Sequence, residues 1–248
     1  MSLLATLTTD ASIANEKDSV GGSRVLESGL YPATVSLAYV TKSEGGALGL
    51  VLEAKAEAGN IRQTLWMTSG TAKGGKNYYE KDGVKNYLPG FIAANALSLL
   101  TVGKDLSELE TEVKVINAYN KDAKAEVPTK VDMLTDLLGQ EILVGLIKQT
   151  VDKTAKDPAT NTYMPTGETR DENEIDKFFR ASDRKTTAEI RAAVEEASFA
   201  ATWEQKWAGK TKDKASKVAG TSGAPKTGFA GTAANQATTK KPATSLFA

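Results

Sequence analysis

Apolar residues alternate with polar ones in three successive segments, residues 30–41, 47–57 and 61–68. In the first segment Val35, Leu37 and Tyr39 fall on one face, which is the period of a half-buried strand. The connections are the short, glycine-containing sequences SEGG and AGN. Turns this short join antiparallel neighbours, so the pattern predicts an antiparallel meander of three strands.

The next hundred residues continue the same mixture of strands with one helix. Residues 91–101 have helical spacing, and the dipeptide Asp82-Gly83 predicts a hairpin turn before them. We predict strands at 112–120 and 125–131, one or two helical turns within 132–138, and a strong strand at 140–151. The order predicts a mostly β fold with some α, an oligonucleotide-binding (OB-like) barrel, although other small antiparallel α+β folds share it.

A change of composition marks the following region. Residues 152–174 are polar and predict a loop, strongly acidic at TRDENE, which precedes a small apolar cluster that we expect to pack on the barrel. The cluster is Ile175, Phe178 and Phe179.

Residues 186–207 predict a single C-terminal helix. It begins with a capping box, Thr186 to Glu189, and apolar residues recur through it at helical spacing. Trp203 and Trp207 are i, i+4 neighbours on its last turns, and we interpret them as packing anchors rather than base-stacking rings.

Residues 209–248 are rich in Ala, Gly, Ser, Thr, Lys and Pro and predict a disordered tail. Seven lysines against Asp213 give the tail a charge of +6, so the neutral total leaves −6 on residues 1–208. The predicted organisation is a flexible arm at 1–28, an OB-like domain at 29–152, an acidic loop and helical extension at 153–208, and the basic tail at 209–248.

The composition removes several classes of chemistry. The chain has no cysteine and no histidine, which excludes thiolate metal sites and Ser-His or Cys-His catalysis. We predict a protein that is not an enzyme and that needs no cofactor or metal, while carboxylate-bound magnesium is not excluded by composition alone. The start lacks a secretory pattern, and the most apolar stretch is too short for a bilayer span, so we expect an intracellular protein with no membrane partner.

Residues 60–91 combine aromatic rings with basic side chains. Rings offer bases a flat surface for stacking and lysines follow a phosphate backbone, the combination used to bind single strands without sequence preference. The alternative is that the rings belong to the core of a small sheet and the lysines are solvated. The candidate DNA-binding residues are Arg62, Trp66, Lys73, Lys76, Tyr78, Tyr79, Lys81, Lys85 and Tyr87.

Two other patterns are weaker. GTAKGGK at 70–76 has the glycine-lysine spacing of a phosphate loop, but Asn77 stands where the Mg²⁺-binding Ser or Thr belongs, so we expect a mobile loop between strands. The acidic residues around TRDENE are typical of a solvated helix start more often than of a metal site.

Several stretches resemble the single-stranded DNA-binding proteins of short-tailed bacteriophages that carry a virion RNA polymerase. The resemblance covers residues 1–207 and the tip of the tail. It lies in LESGLYPATVSLAYVTKSEGGA, IRQTLWMTSG, GGKNYYEKDGVKNYLPGF, EVPTKV, LLGQ and PTGETRDENEIDKFFR.

The resemblance implies an OB barrel that coats single-stranded DNA during phage replication and recombination, in the cytoplasm of the infected bacterium. It places a DNA-contacting ring at Tyr78 or Tyr79. It also implies that the tail binds replication or recombination proteins, or activates host RNA polymerase, which is the alternative function. The candidate partner-binding residues are Lys240, Lys241, Leu246 and Phe247. Most single-strand-binding proteins end in an acidic tail, whereas this one is basic, so the choice of partner stays open.

Overall fold

The computed structural model describes residues 25–120, 123–160 and 162–216, and the fold is mostly β. The chain forms two compact units. The first comprises the described residues up to Gln149 together with Asp171–Asp213, and the second comprises Thr150–Arg170 and the described residues from Lys214 onward.

The predicted meander is confirmed. Strands β1 (Gly29–Lys42), β2 (Leu48–Ala56) and β3 (Gly59–Trp66) pair antiparallel in sequence order. A bulge between Val35 and Leu37 bends β1, because an extra residue on one strand increases its local twist and shifts the alternation. The prediction that Val35, Leu37 and Tyr39 share one face is therefore wrong, since Val35 lies in one buried cluster and Leu37 and Tyr39 lie in another.

A two-stranded hairpin and a helix follow the meander. Strands β4 (Tyr78–Lys81) and β5 (Val84–Tyr87) are joined at Asp82 and Gly83, both with positive φ (53° and 74°), so the predicted hairpin turn is confirmed. Helix α1 (Pro89–Thr101) confirms the predicted helix and starts with proline at its first position, where no backbone donor is needed.

Four further strands complete most of the sheet. Strands β6 (Glu112–Asn120) and β7 (Ala125–Met133) form a hairpin, and a 3₁₀ turn (Thr135–Leu137) leads into β8 (Glu141–Lys156) and β9 (Tyr163–Arg180). Both β7 and β8 pair with β1, at its opposite ends. Among the described residues β3 and β6 each pair with a single strand, so the sheet is open and a closed barrel is not confirmed.

The main core of the first unit lies between the bent sheet and α1. Strand β8 is buried on both faces: Ile142, Val144 and Leu146 enter this core, while Leu143 and Ile147 lie in a second cluster. The expected apolar cluster is also buried, with Ile175 and Phe178 in the main core and Phe179 in the second.

The loop predicted at 152–174 is wrong. Strand β8 continues to Lys156 and β9 starts at Tyr163, so only a short turn separates them. The acidic TRDENE segment is therefore strand rather than loop or helix start. Charged side chains concealed the strand, because an exposed hairpin needs no apolar alternation.

The single helix predicted at 186–207 is also wrong. The segment forms two helices, α2 (Thr187–Arg191) and α3 (Phe199–Trp207). Between them Ala193 has a positive φ of 50°, which is not helical. The capping box at the start of α2 is confirmed, and α3 buries Trp203, whose indole N–H donates to Asp176 Oδ2 at 2.7 Å.

The buried carboxylate of Glu189 explains the break. One oxygen accepts the backbone N–H of Thr186 at 2.9 Å, and the other accepts those of Ser198 at 2.8 Å and Phe199 at 2.9 Å. The residue thus caps both helices. Burial raises the pKa of the Glu189 carboxyl, but the backbone hydrogen bonds outweigh it and lower the pKa to about 2.

The ends of the described chain are more ordered than predicted. In the expected arm, Leu26 is buried and its backbone N–H and C=O both bond the side chain of Asn173. In the expected tail, β10 (Thr211–Asp213) pairs with β8, and Gly209 donates to the carbonyl of Ser28. Composition alone could not predict these hydrogen bonds, because they join residues that are far apart in the sequence. The rest of the arm and tail, residues 1–24 and 217–248, lies outside the described residues.

Candidate nucleic-acid interface

An open groove of about 760 Å³ lies between the end of β3, the following loop and the β4–β5 hairpin. Five of the nine predicted DNA-binding residues line it. They are Trp66, Lys73, Lys76, Tyr78 and Tyr79.

Trp66 is the last residue of β3, and its side chain is 45% exposed. Its cross-strand partner on β2 is Gly49, where a Cβ atom would lie 2.9 Å from Cε3 of the indole. Because glycine has no Cβ, the ring can lie close against β2 while keeping its other side open. The alternative prediction, that this ring belongs to the core, does not fit its exposure.

The backbone of Trp66 is fixed by the first turn of α1. A Cβ at Gly90 would lie 2.1 Å from the Trp66 carbonyl oxygen, so this close approach requires glycine. The groove therefore has a wall whose position depends on two glycines in separate elements.

The loop at 69–77 is tied down by hydrogen bonds. Ser69 and Lys76 bond each other across its base, and the N–H of Thr71 donates to the carbonyl of Gly45 in the β1–β2 turn at 2.8 Å. A Cβ at Gly70 would lie 2.7 Å from that same carbonyl. The segment predicted as a mobile loop forms a compact turn that is hydrogen-bonded to its neighbour, and β4 rather than a helix follows it.

The two tyrosines of β4 have different environments. Strand alternation directs neighbouring residues to opposite faces of the hairpin, and Tyr79 is 48% exposed. Tyr78 is half-buried, with the Nζ atoms of Lys76 and Lys85 lying 5.5 Å and 5.1 Å from its ring centroid. These cation–π contacts occupy the ring of Tyr78, so Tyr79 is the better stacking surface.

Four lysines supply positive charge around the groove. Lys73, Lys76, Lys81 and Lys85 are exposed, and across the described ranges none of them forms an ion pair within 4 Å. Lys81 and Lys85 lie on the β4–β5 hairpin but do not line the groove itself. Glu80 and Asp82 on the same hairpin reduce the local positive charge.

Arg62 and Tyr87 are not brought into the groove. The Arg62 guanidinium lies 3.8 Å from the carboxylate of Glu53, its cross-strand neighbour, four residues away from Trp66 along β3. Tyr87 packs against Phe91 at the start of α1, with ring centroids 5.0 Å apart, although it is 57% exposed.

The sequence analysis missed the polar and backbone part of the lining. Thr68, Ser69 and Gly70 line the groove from the loop, and Leu88 and Pro89 line it from the start of α1. Only the glycine-rich composition of the loop hinted at this, since small residues allow close approach of a ligand to the backbone.

Three further features of the sequence prediction concern the tail, metal binding and the membrane. Lys240, Lys241, Leu246 and Phe247 lie outside the described residues. Within the described ranges, no group of three or more acidic side chains is arranged to hold a metal ion. In that same part of the chain, no helix is both long and apolar enough to cross a membrane.

No protein-family model matches the sequence, and no curated protein matches it significantly.

Proposed function

We propose that this chain binds single-stranded DNA without sequence preference and has no catalytic role. The observation that carries the proposal is that two exposed rings, Trp66 and Tyr79, line the same groove as the exposed Lys73 and Lys76. Rings stack on any base, and lysines attract any phosphate, so the combination binds strands regardless of sequence.

The charge distribution supports a single strand rather than a duplex as the ligand. A duplex-binding surface needs many basic contacts along a rigid face. Here residues 1–208 sum to −6, and four lysines, Lys73, Lys76, Lys81 and Lys85, lie in or beside the groove, together with the acidic Glu80. An open groove with local lysines is suited to one flexible strand whose bases are accessible.

We further propose an OB-like arrangement and a place in the phage family that the sequence resembles. The bent β1 that pairs with different strands at its two ends, and the helix after the meander, support an OB-like arrangement. On this proposal the protein coats single strands during phage DNA replication and recombination in the cytoplasm of the infected bacterium.

A second role is proposed for the tail. Its lysines and its apolar Leu246-Phe247 tip favour a segment that binds a replication protein or RNA polymerase. Deleting residues 240–248 separates the roles: we expect unchanged DNA affinity and lost recruitment. A loss of DNA affinity would assign the tail to DNA binding instead.

Anisotropy of a labelled oligo-dT tests the main proposal. We expect saturable binding to oligo-dT, much weaker binding to a duplex of equal length, and reduced affinity for Trp66→Ala. Equal affinity for oligo-dT and the duplex would refute the preference for single strands. Equal affinity of wild type and Trp66→Ala for oligo-dT would refute the assignment of the groove.

A further inference from the structure

We infer that the edge strand β6 is a self-association surface at which a second copy of this chain adds its own β6. The inference uses residues outside the groove and does not depend on the proposed DNA-binding function. It rests on three properties of β6: its apolar exposed face, its unprotected edge and its self-complementary sequence.

The exposed face of β6 is apolar at the place where sheet proteins usually put charge. Val113, Val115 and Tyr119 are 67%, 62% and 64% exposed and share one face through strand alternation, with Asn117 as the polar residue between them. Their neighbours on β7, on the same face, are mostly polar or charged, including Asp132 opposite Val113 and Lys130 opposite Val115. The apolar row therefore lies on the edge strand itself.

The edge of β6 lacks the usual devices that prevent strand addition. Edge strands are normally short, bulged, rich in lysine or proline, or covered. β6 has nine residues, its register with β7 runs from Glu112 to Asn120 without a shift, and it contains no proline. Its one lysine, Lys114, is paired with Glu112.

The other edge of the sheet offers a contrast within the same unit. At β3, α1 approaches the backbone of Trp66, and the Gln63 side chain accepts the N–H of Ile175 from β9. Among the described residues, β6 pairs only with β7 in the sheet. Its edge is therefore open to strand addition, unlike the edge of β3.

Symmetry determines how two copies would meet. A two-fold axis perpendicular to the sheet keeps each residue on its own face, so antiparallel pairing of β6 with itself joins the two apolar rows on one face. A register centred on Ile116 pairs all nine residues and sets Val113 against Tyr119 of the second copy. Like charges do not meet in this register, because Lys114 faces Ala118 and Glu112 faces Asn120.

The antiparallel arrangement also keeps the remaining parts of the two copies apart. The hairpin joins the rest of the sheet where β7 pairs with β1, at Met133 and Tyr39, opposite the Glu112 end of β6. Because the second copy's β6 runs in the opposite direction, the rest of that copy lies at the other end of the β6–β6 pair. The β6–β6 pair would be held by backbone hydrogen bonds as well as apolar contacts, as in other cases of β-strand addition.

Sedimentation velocity of the full chain without DNA, across a concentration series, tests the surface. We expect a dimer whose dissociation constant rises about tenfold or more in Val115→Lys, because the substitution replaces an apolar side chain of the paired face by a charge that association would desolvate. Val84→Lys is the matched control, since Val84 is 60% exposed on another strand. A monomer at all concentrations, or a dimer unaffected by Val115→Lys, would overturn the inference.

Cysteine crosslinking tests the register, since the chain has no cysteine of its own. Val113→Cys combined with Tyr119→Cys should give a disulfide-linked dimer on mild oxidation, whereas each single variant should stay unlinked. Failure of the double variant to crosslink, or equal crosslinking of the singles, would overturn this pairing. Because neither assay contains DNA, failure here is distinct from failure of the proposed DNA binding.

Discussion

Trp66 on β3 lies directly opposite Gly49 on β2, and a Cβ at residue 49 would come within 2.9 Å of the indole. The exposed ring is thus placed by the absence of a side chain on the neighbouring strand. We therefore expect Gly49→Ala to displace the ring and weaken single-strand binding about fivefold, toward the low end of one lost stacking contact. Anisotropy with labelled oligo-dT measures the change.

Gly29→Ala is the control for that substitution, because a Cβ there would meet the Tyr31 ring at an ordinary 3.5 Å. Affinity should be unchanged in Gly29→Ala. Unchanged affinity in Gly49→Ala as well would mean that the position of Trp66 does not matter for binding.

The rings of the groove should each contribute measurably to affinity. Base stacking is worth about 1–3 kcal/mol per ring, so Trp66→Ala and Tyr79→Ala should each weaken oligo-dT binding by about 5- to 150-fold. Tyr163→Ala removes a ring that is 66% exposed but does not line the groove, and it should leave affinity intact. Equal losses in all three variants would indicate a non-specific effect of removing exposed rings.

The lysines of the groove should appear in the salt dependence. Replacing Lys73 or Lys76 by glutamine should reduce the slope of log affinity against log salt by about 0.7, the value for one single-strand phosphate. Lys153→Gln is the control, because its Nζ is already paired with Glu168 at 3.0 Å. A slope that is the same in the groove variants and wild type would remove these lysines from the binding site.

Acid should destabilise the first unit through Glu189. Its pKa lies near 4.5 when unfolded and about 2 when folded, so its stabilisation is complete above pH 4.5 and is lost between about pH 4.5 and 2. The loss should reach about 2–3 kcal/mol of unfolding free energy.

Asp183, whose pKa is lowered to about 2 chiefly by its hydrogen bond from Arg180, loses stabilisation between about pH 3.8 and 2. Denaturant unfolding of Glu189→Gln should therefore show lower stability at neutral pH and a shallower decline in acid, with the Asp183 component retained. A variant as stable as wild type at pH 7 would contradict the capping role of Glu189.

The strands with clear alternation were predictable, and those without it were not. Val35, Leu37 and Tyr39 identified β1, and Ile142, Val144 and Leu146 identified β8. The charged half of β9 has no such pattern, and the break between α2 and α3 depends on hydrogen bonds to Glu189 from residues nine and ten positions away. Such contacts override the strong helix preference of the sequence between them.

The candidate site was predictable in its residue types but not in its shape. Aromatic and basic composition indicated Trp66, Tyr79, Lys73 and Lys76, which do line one groove. Composition could not show that Arg62 is paired with Glu53, because that contact follows from the β2–β3 register.

Intrinsic fluorescence titrated with oligo-dT, in wild type and Trp66→Phe at two salt concentrations, tests the central claim most directly. Trp203 is 3% exposed and bonded to Asp176, and Trp207 is half-buried and does not line the groove, so a bound base should quench mainly Trp66. We predict saturable quenching in wild type that weakens at higher salt and is largely lost in Trp66→Phe. Equal quenching in both proteins would place the strand elsewhere, and no quenching with no gel shift would contradict single-strand binding.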